Sequence, residues 1–388
     1  MRDHLKLQWL TLLQTCLRML PFPARTGLIP IGRPGPDSPV LLTCNFQLTV
    51  ARVKQALKGL DVHLLVANSR GVNVWCAATG GLLTHHDVIS VLKTSGIAQR
   101  VQHRHVILPQ LAATGVEAAE VLHRSGWRVI WGPVEARDIP AFLAAGQQAT
   151  QEMRRVRFPW TRRLEMAVAW AFPISLLAIL ATPWLHRGVA PLAGFVWLAA
   201  LVVFLGFPLY QQRLQVEETP KRHRGFIFFD FGRLGLPLLL WGAFLLILSG
   251  AAAFEGTLSA PLLLRWGIAS LVVLLILSLD LAGSTPTFKS GLHEDRLLSI
   301  ELAAERCKGA GFCEQVCPTR VFEIDLGRHL ALLPRSEDCV QCGACIVQCP
   351  FDALHFRTPN GAIIAPETLR RFKLNLLGHR ARKVAGPG

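Results

Sequence analysis

The sequence predicts a multidomain chain with an α/β domain first, four membrane-spanning helices in the middle and a small cysteine-rich domain last. Strand-like and helix-like runs alternate in the first third, long apolar stretches follow, and seven of the ten cysteines fall between Cys307 and Cys349. A length of 388 residues is enough for roughly two or three folded units. Because 51% of the residues are hydrophobic and only 17% are charged, the chain is neither disordered nor collagen-like.

Shifts in composition divide the chain into six predicted parts. They are an N-terminal amphipathic segment (1–38), an α/β domain (39–150), a basic linker (151–163), a transmembrane domain (164–283), the cysteine-rich domain (284–366) and a basic tail (367–388). The formal charge is +15. In a membrane protein such an excess indicates cytoplasmic loops and contact with anionic lipid, and we expect no nucleic-acid partner.

The α/β domain is predicted from alternating short apolar runs and helical patterns. The strand-like runs are Val62 to Ala67, Val72 to Trp75, Val106 to Leu108 and Trp127 to Trp131. The helical patterns are Thr84 to Thr94, Val116 to His123 and Asp138 to Ala145. This alternation favours a parallel sheet covered by helices, a Rossmann-like unit. No G-x-G-x-x-G follows the strands, so a nicotinamide or flavin dinucleotide is not indicated.

The stretch from Leu5 to Leu20 has the basic start and apolar residues of a signal peptide. Gln8, Gln14 and Arg18 interrupt it, however, and no small-residue cleavage site follows. We therefore expect an amphipathic helix packed on the first domain.

Four apolar stretches form the predicted membrane domain. They run from about Leu164 to His186, Val189 to Tyr210, Phe226 to Gly250 and Leu258 to Gly283. Each can cross ~30 Å of hydrocarbon at ~1.5 Å per residue. Basic residues precede the first stretch, separate the second from the third and follow the fourth, whereas the other two loops offer only Arg187 and Glu255. The positive-inside rule then predicts a multi-pass protein of the inner cell membrane with both soluble domains in the cytoplasm.

The cysteine-rich domain carries a specific metal-ligand spacing. Cys339, Cys342, Cys345 and Cys349, followed by Pro350, read C-x2-C-x2-C-x3-C-P. This is the bacterial ferredoxin pattern, in which the fourth cysteine ligates the other cluster of a two-cluster protein. The spacing favours iron–sulfur clusters over zinc and over a disulfide framework.

An upstream copy of the motif lacks one ligand. It reads Cys307, Ala310, Cys313, Cys317, Pro318, with Ala310 at the second position. Crossed ligation predicts that Cys317 joins Cys339, Cys342 and Cys345 around one [4Fe-4S] cluster. Three thiolates, Cys307, Cys313 and Cys349, remain for a second cluster. That site suits a [3Fe-4S] cluster or an incomplete [4Fe-4S] cluster, and a decayed motif without a second cluster is the remaining alternative.

Cys76 stands apart from this cluster of cysteines. Taken alone, a cysteine between Trp75 and Ala77 is usually a small buried hydrophobic residue. Its surroundings, however, resemble the cap-helix motif of the mercury-methylating corrinoid proteins. The segments that carry the resemblance are Asn73–Gly80, His105–Leu111, Ser125–Pro133, Glu152–Val156 and, after the membrane region, Gly283–Pro286. The cysteine-rich domain resembles the small ferredoxin partner of that family, here fused to the carboxyl end.

The resemblance implies a corrinoid (cobalamin) bound in the α/β domain, with Cys76 as the catalytic residue and lower axial ligand of cobalt. The cofactor-binding residues it implies are Asn73, Trp75, Cys76, Ala77, Ala78 and Thr79. Asn73 and Trp75 would orient the cap, and the small Ala77 and Ala78 would let the helix approach the macrocycle. A thiolate is a strong donor that favours release of a methyl group to an electrophile.

The implied function is methyl transfer through cobalt, with Hg(II) as one acceptor and with the ferredoxin domain returning oxidised cobalt to its nucleophilic state. The implied partners are a methylated folate or methyl-donor protein, a low-potential electron donor and the lipid bilayer. Three features depart from the family: Thr79 and Gly80 replace its usual Gly and Lys, no cysteine follows Cys349, and we count one span fewer. The alternative function is a membrane-bound electron-transfer protein whose first domain has lost its cofactor.

Overall fold

The computed structural model describes residues 2–18, 20–180, 182–185, 190–209, 235–281 and 298–372. Several predictions fall on other residues and lie outside this description. They concern the resemblance at Gly283–Pro286, the basic loop after the second apolar stretch, parts of the predicted spans and the tail beyond 372.

The first domain is built on a five-stranded sheet. Its strands are β1 (Gly27–Ile31), β2 (Val40–Cys44), β3 (Val62–Ala67), β4 (His105–Pro109) and β5 (Arg128–Gly132). They are arranged in the order β1-β3-β2-β4-β5, and all neighbours pair in parallel except β1, which is antiparallel to β3. Every residue of β2 and β3 is buried, because helices cover both faces of a parallel sheet. A multidomain α/β architecture is therefore confirmed.

Helices fill the connections of this sheet. They are α1 (Arg2–Cys16), α2 (Gln47–Ala56), α3 (Val74–Thr79), α4 (His85–Thr94), α5 (Ala118–Ser125), α6 (Ile139–Ala144) and α7 (Gln151–Arg154). A 3-10 helix, Gln110–Thr114, follows β4 and is called the 110–114 segment below.

Two predictions for this domain are wrong. The predicted boundary at residue 39 falls inside the sheet, since β1 precedes it; this edge strand is short and only half-buried, so its signal in the sequence is weak. The run Val72 to Trp75 is not a strand. Asn73 caps a helix there by accepting a hydrogen bond from the Cys76 amide at 3.0 Å, and this local bond stabilises the helical turn over an extended conformation.

The N-terminal helix α1 packs on α2, as expected, and also on the first long helix of the middle region. Gln14, which is 1% exposed, holds the first contact: its side chain donates to Gln47 Oε1 at 2.8 Å and accepts from the Leu48 amide at 3.0 Å.

The described middle region consists of helices. They are α8 (Trp160–Leu180), α9 (Thr182–Leu185), α10 (Ala190–Leu205), α11 (Gly235–Phe254) and α12 (Ala260–Leu281). By length and composition, Trp160–Leu180 and Ala260–Leu277 could cross a membrane, whereas Ala190–Leu205 and Leu238–Phe254 are shorter apolar helices. The four-helix membrane domain therefore stays a prediction. Small residues such as Ala171 and Ala199 are buried in the core of this region, which allows close approach of neighbouring helices.

The last unit, residues 298–372, combines three short α-helices with two small sheets. Its elements are β6 (Ser299–Leu302), α13 (Phe312–Val316), β7 (Glu323–Asp325), β8 (Leu330–Leu332), α14 (Ala344–Gln348), β9 (Leu354–Arg357), β10 (Ile363–Ile364) and α15 (Pro366–Phe372). Strands β7 and β8 form a hairpin between the two cysteine motifs. We call this part the ferredoxin unit.

The predicted end of the ferredoxin unit at residue 366 is wrong. Leu369 on α15 is 3% exposed and belongs to the unit's core, and Arg370 donates to the Cys349 carbonyl at 2.9 Å. The basic residues near the end of the chain suggested a solvated tail, but α15 folds back onto α14.

Candidate functional site

Cys76 lies on the cap helix, α3, where the side chain of Asn73 fixes its position. The Asn73 side chain accepts from the Cys76 amide and donates its own amide N–H to Cys76 Sγ at 3.4 Å. Thr79 Oγ1 donates to the Trp75 carbonyl at 2.8 Å. Cys76 is half-buried, so its sulfur is held in place while part of its surface remains open to a ligand.

Ala77 and Ala78 do not face open space. Both are 0% exposed, because the cap helix packs on the 110–114 segment and on Gly115. A Cβ added to Gly115 would lie 2.6 Å from the Ala78 carbonyl oxygen. Both alanines therefore pack against the protein itself, whereas Trp75, Cys76 and Thr79 are partly accessible. The contact of Ala77 and Ala78 with a macrocycle stays a prediction.

A buried polar network fixes the loop that leads into the cap helix. Asn45 follows β2, and its Oδ1 accepts from the Ser69 amide, the Ser69 hydroxyl and the Gly71 amide, each at 2.9 Å. Asn45 is 4% exposed and Ser69 0%, so these bonds are shielded from water. The sequence reasoning missed both residues. Their signal was the position of a polar side chain directly after a buried strand.

The structure brings four cysteines of the ferredoxin unit together. Burial raises the pKa of Cys342 and of Cys345, and the nearby thiols of Cys317 and Cys339 raise it further. Four thiolates held side by side need a positively charged partner, as the iron of a cubane provides. The donor set therefore fits a [4Fe-4S] cluster. We call these residues the four-cysteine site.

Three further cysteines converge on a second position. Burial raises the pKa of Cys313 to about 12, and Cys349 and Cys307 raise it further. These three residues line one cavity together with Ala310, the residue that stands where the second copy of the motif has a cysteine. We call this group the three-cysteine site. Its donors fit a cluster with three protein thiolates.

Backbone amides reach one sulfur in each site. The Val321 N–H donates to Cys317 Sγ at 3.3 Å, and the Ala331 N–H donates to Cys307 Sγ at 3.4 Å. Such bonds stabilise negative charge on a cluster and thereby raise its reduction potential. Among the described residues, no three His, Cys, Asp or Glu side chains lie close enough together to hold one lone metal ion. Each group of cysteines therefore fits a multi-iron cluster rather than a single ion.

The ferredoxin unit docks on the first domain through Gln348, which sequence reasoning also missed. The side chain of Gln348 is buried and donates to the carbonyls of Ala113 and Val116 at 2.7 and 2.6 Å. Its Oε1 accepts from the Ala118 amide at 3.2 Å. A glutamine inside a cysteine motif carries no signal of this role, because its partners are backbone atoms some 230 residues away.

Comparison with known protein families matches two parts of the chain, the first domain and the ferredoxin unit. Residues 6–143 match the family of the CO dehydrogenase/acetyl-CoA synthase delta subunit, a corrinoid iron–sulfur subunit. Residues 306–353 match the 4Fe-4S dicluster domain. The chain thus combines a domain of the corrinoid iron–sulfur type with a ferredoxin-type 4Fe-4S domain. The expected corrinoid and ferredoxin character is confirmed at this level, and mercury methylation stays a prediction.

Two curated relatives each match about a third of this chain. The gamma subunit of the acetyl-CoA decarbonylase/synthase complex of Archaeoglobus fulgidus is 36% identical over 125 residues, which are 32% of this chain and 26% of that one. The same subunit of Methanothermobacter thermautotrophicus is 38% identical over 119 residues, 30% of this chain and 26% of that one. The chain therefore matches about a quarter of the length of these relatives.

Proposed function

We propose that this protein is a membrane-anchored methyl carrier that binds a corrinoid through Cys76 and keeps its cobalt reduced through the ferredoxin unit. The hydrogen bond from Asn73 to Cys76 Sγ carries the proposal. A side-chain amide that both caps the helix and donates to the sulfur holds that sulfur in one orientation, and a cysteine sulfur is an atom that binds metals.

The match of residues 6–143 to a corrinoid iron–sulfur subunit family supports the cofactor. When bound, the corrinoid supplies a cobalt centre that accepts a methyl group and releases it. Asn73 would orient the sulfur, and the network of Asn45 and Ser69 would hold the cap helix at its entrance loop. Trp75 and Thr79, on the accessible side of the cap, would contact the ligand. A methylated folate or methyl-donor protein would supply the group.

We assign the four-cysteine site to a [4Fe-4S] cluster and the three-cysteine site to a [3Fe-4S] cluster. The grouping of the thiols supports the first assignment. Ala310 supports the second, because it leaves the cavity of the three-cysteine site with one thiolate too few for a complete cubane. A low-potential donor protein would reduce these clusters again.

Membrane attachment is supported by an inverted pattern on α1. Its polar residues Gln14 and Thr15 are buried, at 1% and 7% exposed, whereas Trp9, Leu12 and Leu13 are 70%, 54% and 52% exposed. Exposed apolar residues at positions i, i+3 and i+4 form one face of a helix. Since α1 packs on α8, this face would lie in the lipid interface beside a membrane span, with both soluble units in the cytoplasm.

The test is an anaerobic preparation of the full chain with cobalamin, analysed for cobalt and iron and by absorption spectroscopy. We expect about one cobalt per chain, and a Cys76→Ala variant with altered cobalt bands. A Cys16→Ala variant, which removes another half-buried thiol, serves as the control. Iron without cobalt would refute the proposal and favour an electron carrier. Methyl transfer to Hg(II) and to other acceptors in the same preparation identifies the acceptor.

A further inference from the structure

The two cysteine sites are not equivalent with respect to the first domain. In the second motif, Ala344 is 1% exposed and is part of that domain's hydrophobic core, and Cys342 packs against the same core. The matching positions of the first motif are Phe312, which is 38% exposed, and Ala310, which is also exposed. In the first motif the residue that belongs to this core is Val316, which is 1% exposed and directly precedes Cys317 of the four-cysteine site. The loop around Cys342 is therefore covered by the first domain, whereas the matching loop around Ala310 is exposed.

A second contact ties the four-cysteine site to the linker that follows the first domain. Pro318 follows Cys317, the fourth thiol of this site, and its carbonyl accepts from the Val156 amide at 3.0 Å. Two loops that carry cysteines of the four-cysteine site therefore touch the rest of the chain, one at Cys342 and one at Pro318.

A continuous packed route runs from the ferredoxin unit to the cap helix. Gln348 donates to the Ala113 carbonyl within the 110–114 segment, and this segment packs directly on the cap helix. Gly115 then lies against Ala78 so closely that a Cβ would come within 2.8 Å of the Ala78 Cα. Cys76 is two residues from Ala78 on the same helix.

The three-cysteine site is lined differently. Every residue that lines its cavity belongs to the ferredoxin unit, between Leu302 and Leu354. Phe312 and Phe351 at this cavity are 38% and 42% exposed, so the site opens toward solvent.

We propose that the four-cysteine cluster is the direct electron donor to the corrinoid and that Gln348 is the positioning residue that couples the two. This inference rests on the proposed function and adds to it the order in which the two clusters transfer electrons. Each transfer moves one electron: the four-cysteine cluster is oxidised, and the cobalt is reduced. The four-cysteine cluster regains its electron from a low-potential one-electron donor, either through the three-cysteine cluster or directly.

The proximity that this order requires can be measured without corrinoid. A reduction-resistant trityl spin label is attached to Cys76 in the full-length chain with reconstituted clusters, in a Cys16→Ser background; Cys44, which is 0% exposed, does not compete. The clusters are reduced with dithionite, and the relaxation rate of the label is measured by pulsed EPR. The variants are Cys313→Ser, which disables the three-cysteine site, and Gln348→Glu, whose carboxylate cannot donate to two carbonyls. Gln315→Glu on α13 is the matched control.

We expect reduction to speed the relaxation of the label, and we expect Cys313→Ser and Gln315→Glu to keep this effect. Gln348→Glu should lower it at least about twofold at unchanged iron content. If Cys313→Ser abolished the effect, the three-cysteine cluster would be the nearer one and the proposed order would be overturned. An unchanged effect in Gln348→Glu would overturn the role of Gln348.

A parallel experiment separates this inference from the function on which it rests. Single-turnover reduction of bound cobalamin is followed by stopped-flow absorption in the same variants. Gln348→Glu should slow it at least about tenfold, whereas Cys313→Ser should leave the first electron transfer unchanged. If the chain showed the relaxation effect but bound no cobalamin, the proposed function would be refuted. The label on Cys76 would still identify which of the two clusters lies nearer to the cap helix.

Discussion

Gly115→Ala is expected to displace the cap helix and weaken corrinoid binding. An alanine Cβ at this position would lie 2.4 Å from the Leu83 carbonyl oxygen and 2.6 Å from that of Ala78. An ordinary carbon–oxygen contact of about 3.3 Å would require the backbone to move by roughly 0.9 Å. Because both obstacles are backbone atoms, no side-chain rotation relieves the clash. Such overpacking costs about 1–3 kcal/mol, or roughly a 5- to 150-fold change in an equilibrium constant.

The assay is a titration of the full chain with cobalamin, together with a thermal melt of the corrinoid-free protein. We expect the dissociation constant of Gly115→Ala to rise within that range and its melting temperature to fall by several degrees. Gly35→Ala is the matched control, since nothing lies within 4 Å of a Cβ at Gly35. Wild-type affinity and an unchanged melting temperature in Gly115→Ala would refute the argument that this glycine sets the position of the cap.

Three further predictions concern individual side chains. Ala310→Cys supplies the missing thiol in the cavity of the three-cysteine site; we expect iron to rise from about seven to about eight atoms per chain, with loss of the EPR signal of an oxidised three-iron cluster. Asn73→Ala removes both a helix cap, at about 1 kcal/mol, and the donor to Cys76; corrinoid should bind roughly fivefold more weakly, with shifted cobalt bands. Leu369→Ala empties a buried position on α15 and should cost about 2–5 kcal/mol, seen as cluster loss at a lower temperature.

Each of these predictions has a matched control. Ala310→Ser adds a side chain of similar size without a thiol and should leave the iron count near seven. Asn73→Ser keeps a capping oxygen but loses the amide donor, so it should stabilise the helix and still shift the cobalt bands. Leu326 is 79% exposed, and Leu326→Ala should leave cluster loss unchanged. The assigned roles would be wrong if Ala310→Ser raised the iron count like Ala310→Cys, if Leu326→Ala advanced cluster loss like Leu369→Ala, or if Asn73→Ser left the cobalt bands unchanged.

The spacing of the cysteines predicted their grouping without any knowledge of the fold. Cys317 lies with the second motif and Cys349 with the first, as the crossed rule requires. Periodicity also predicted β3, β4 and β5 and the helices α4, α5 and α6. It failed at Val72 to Trp75, where apolar residues suggested a strand, because a single capping side chain at Asn73 decided the local conformation.

Ala77 and Ala78 show a different limit of the sequence. Small residues in a cap helix allow close approach, but the sequence does not say to what, and the partner is Gly115 of the same chain. The edge strand β1 was missed for a related reason. A half-buried edge strand, which pairs with one neighbour, has a weak apolar pattern. Its antiparallel pairing with β3 is a property of the assembled sheet.

The sequence by itself determined which atoms can bind metals and which stretches are apolar, because both properties depend on residues a few positions apart. Only the tertiary structure decided which cysteine site lies beside the first domain. Gln348 and Ala118 are 230 residues apart, and the bond between them involves a backbone amide that every residue except proline possesses. A contact of this kind leaves no mark on composition or spacing, so it becomes visible only when the two units are folded and packed together.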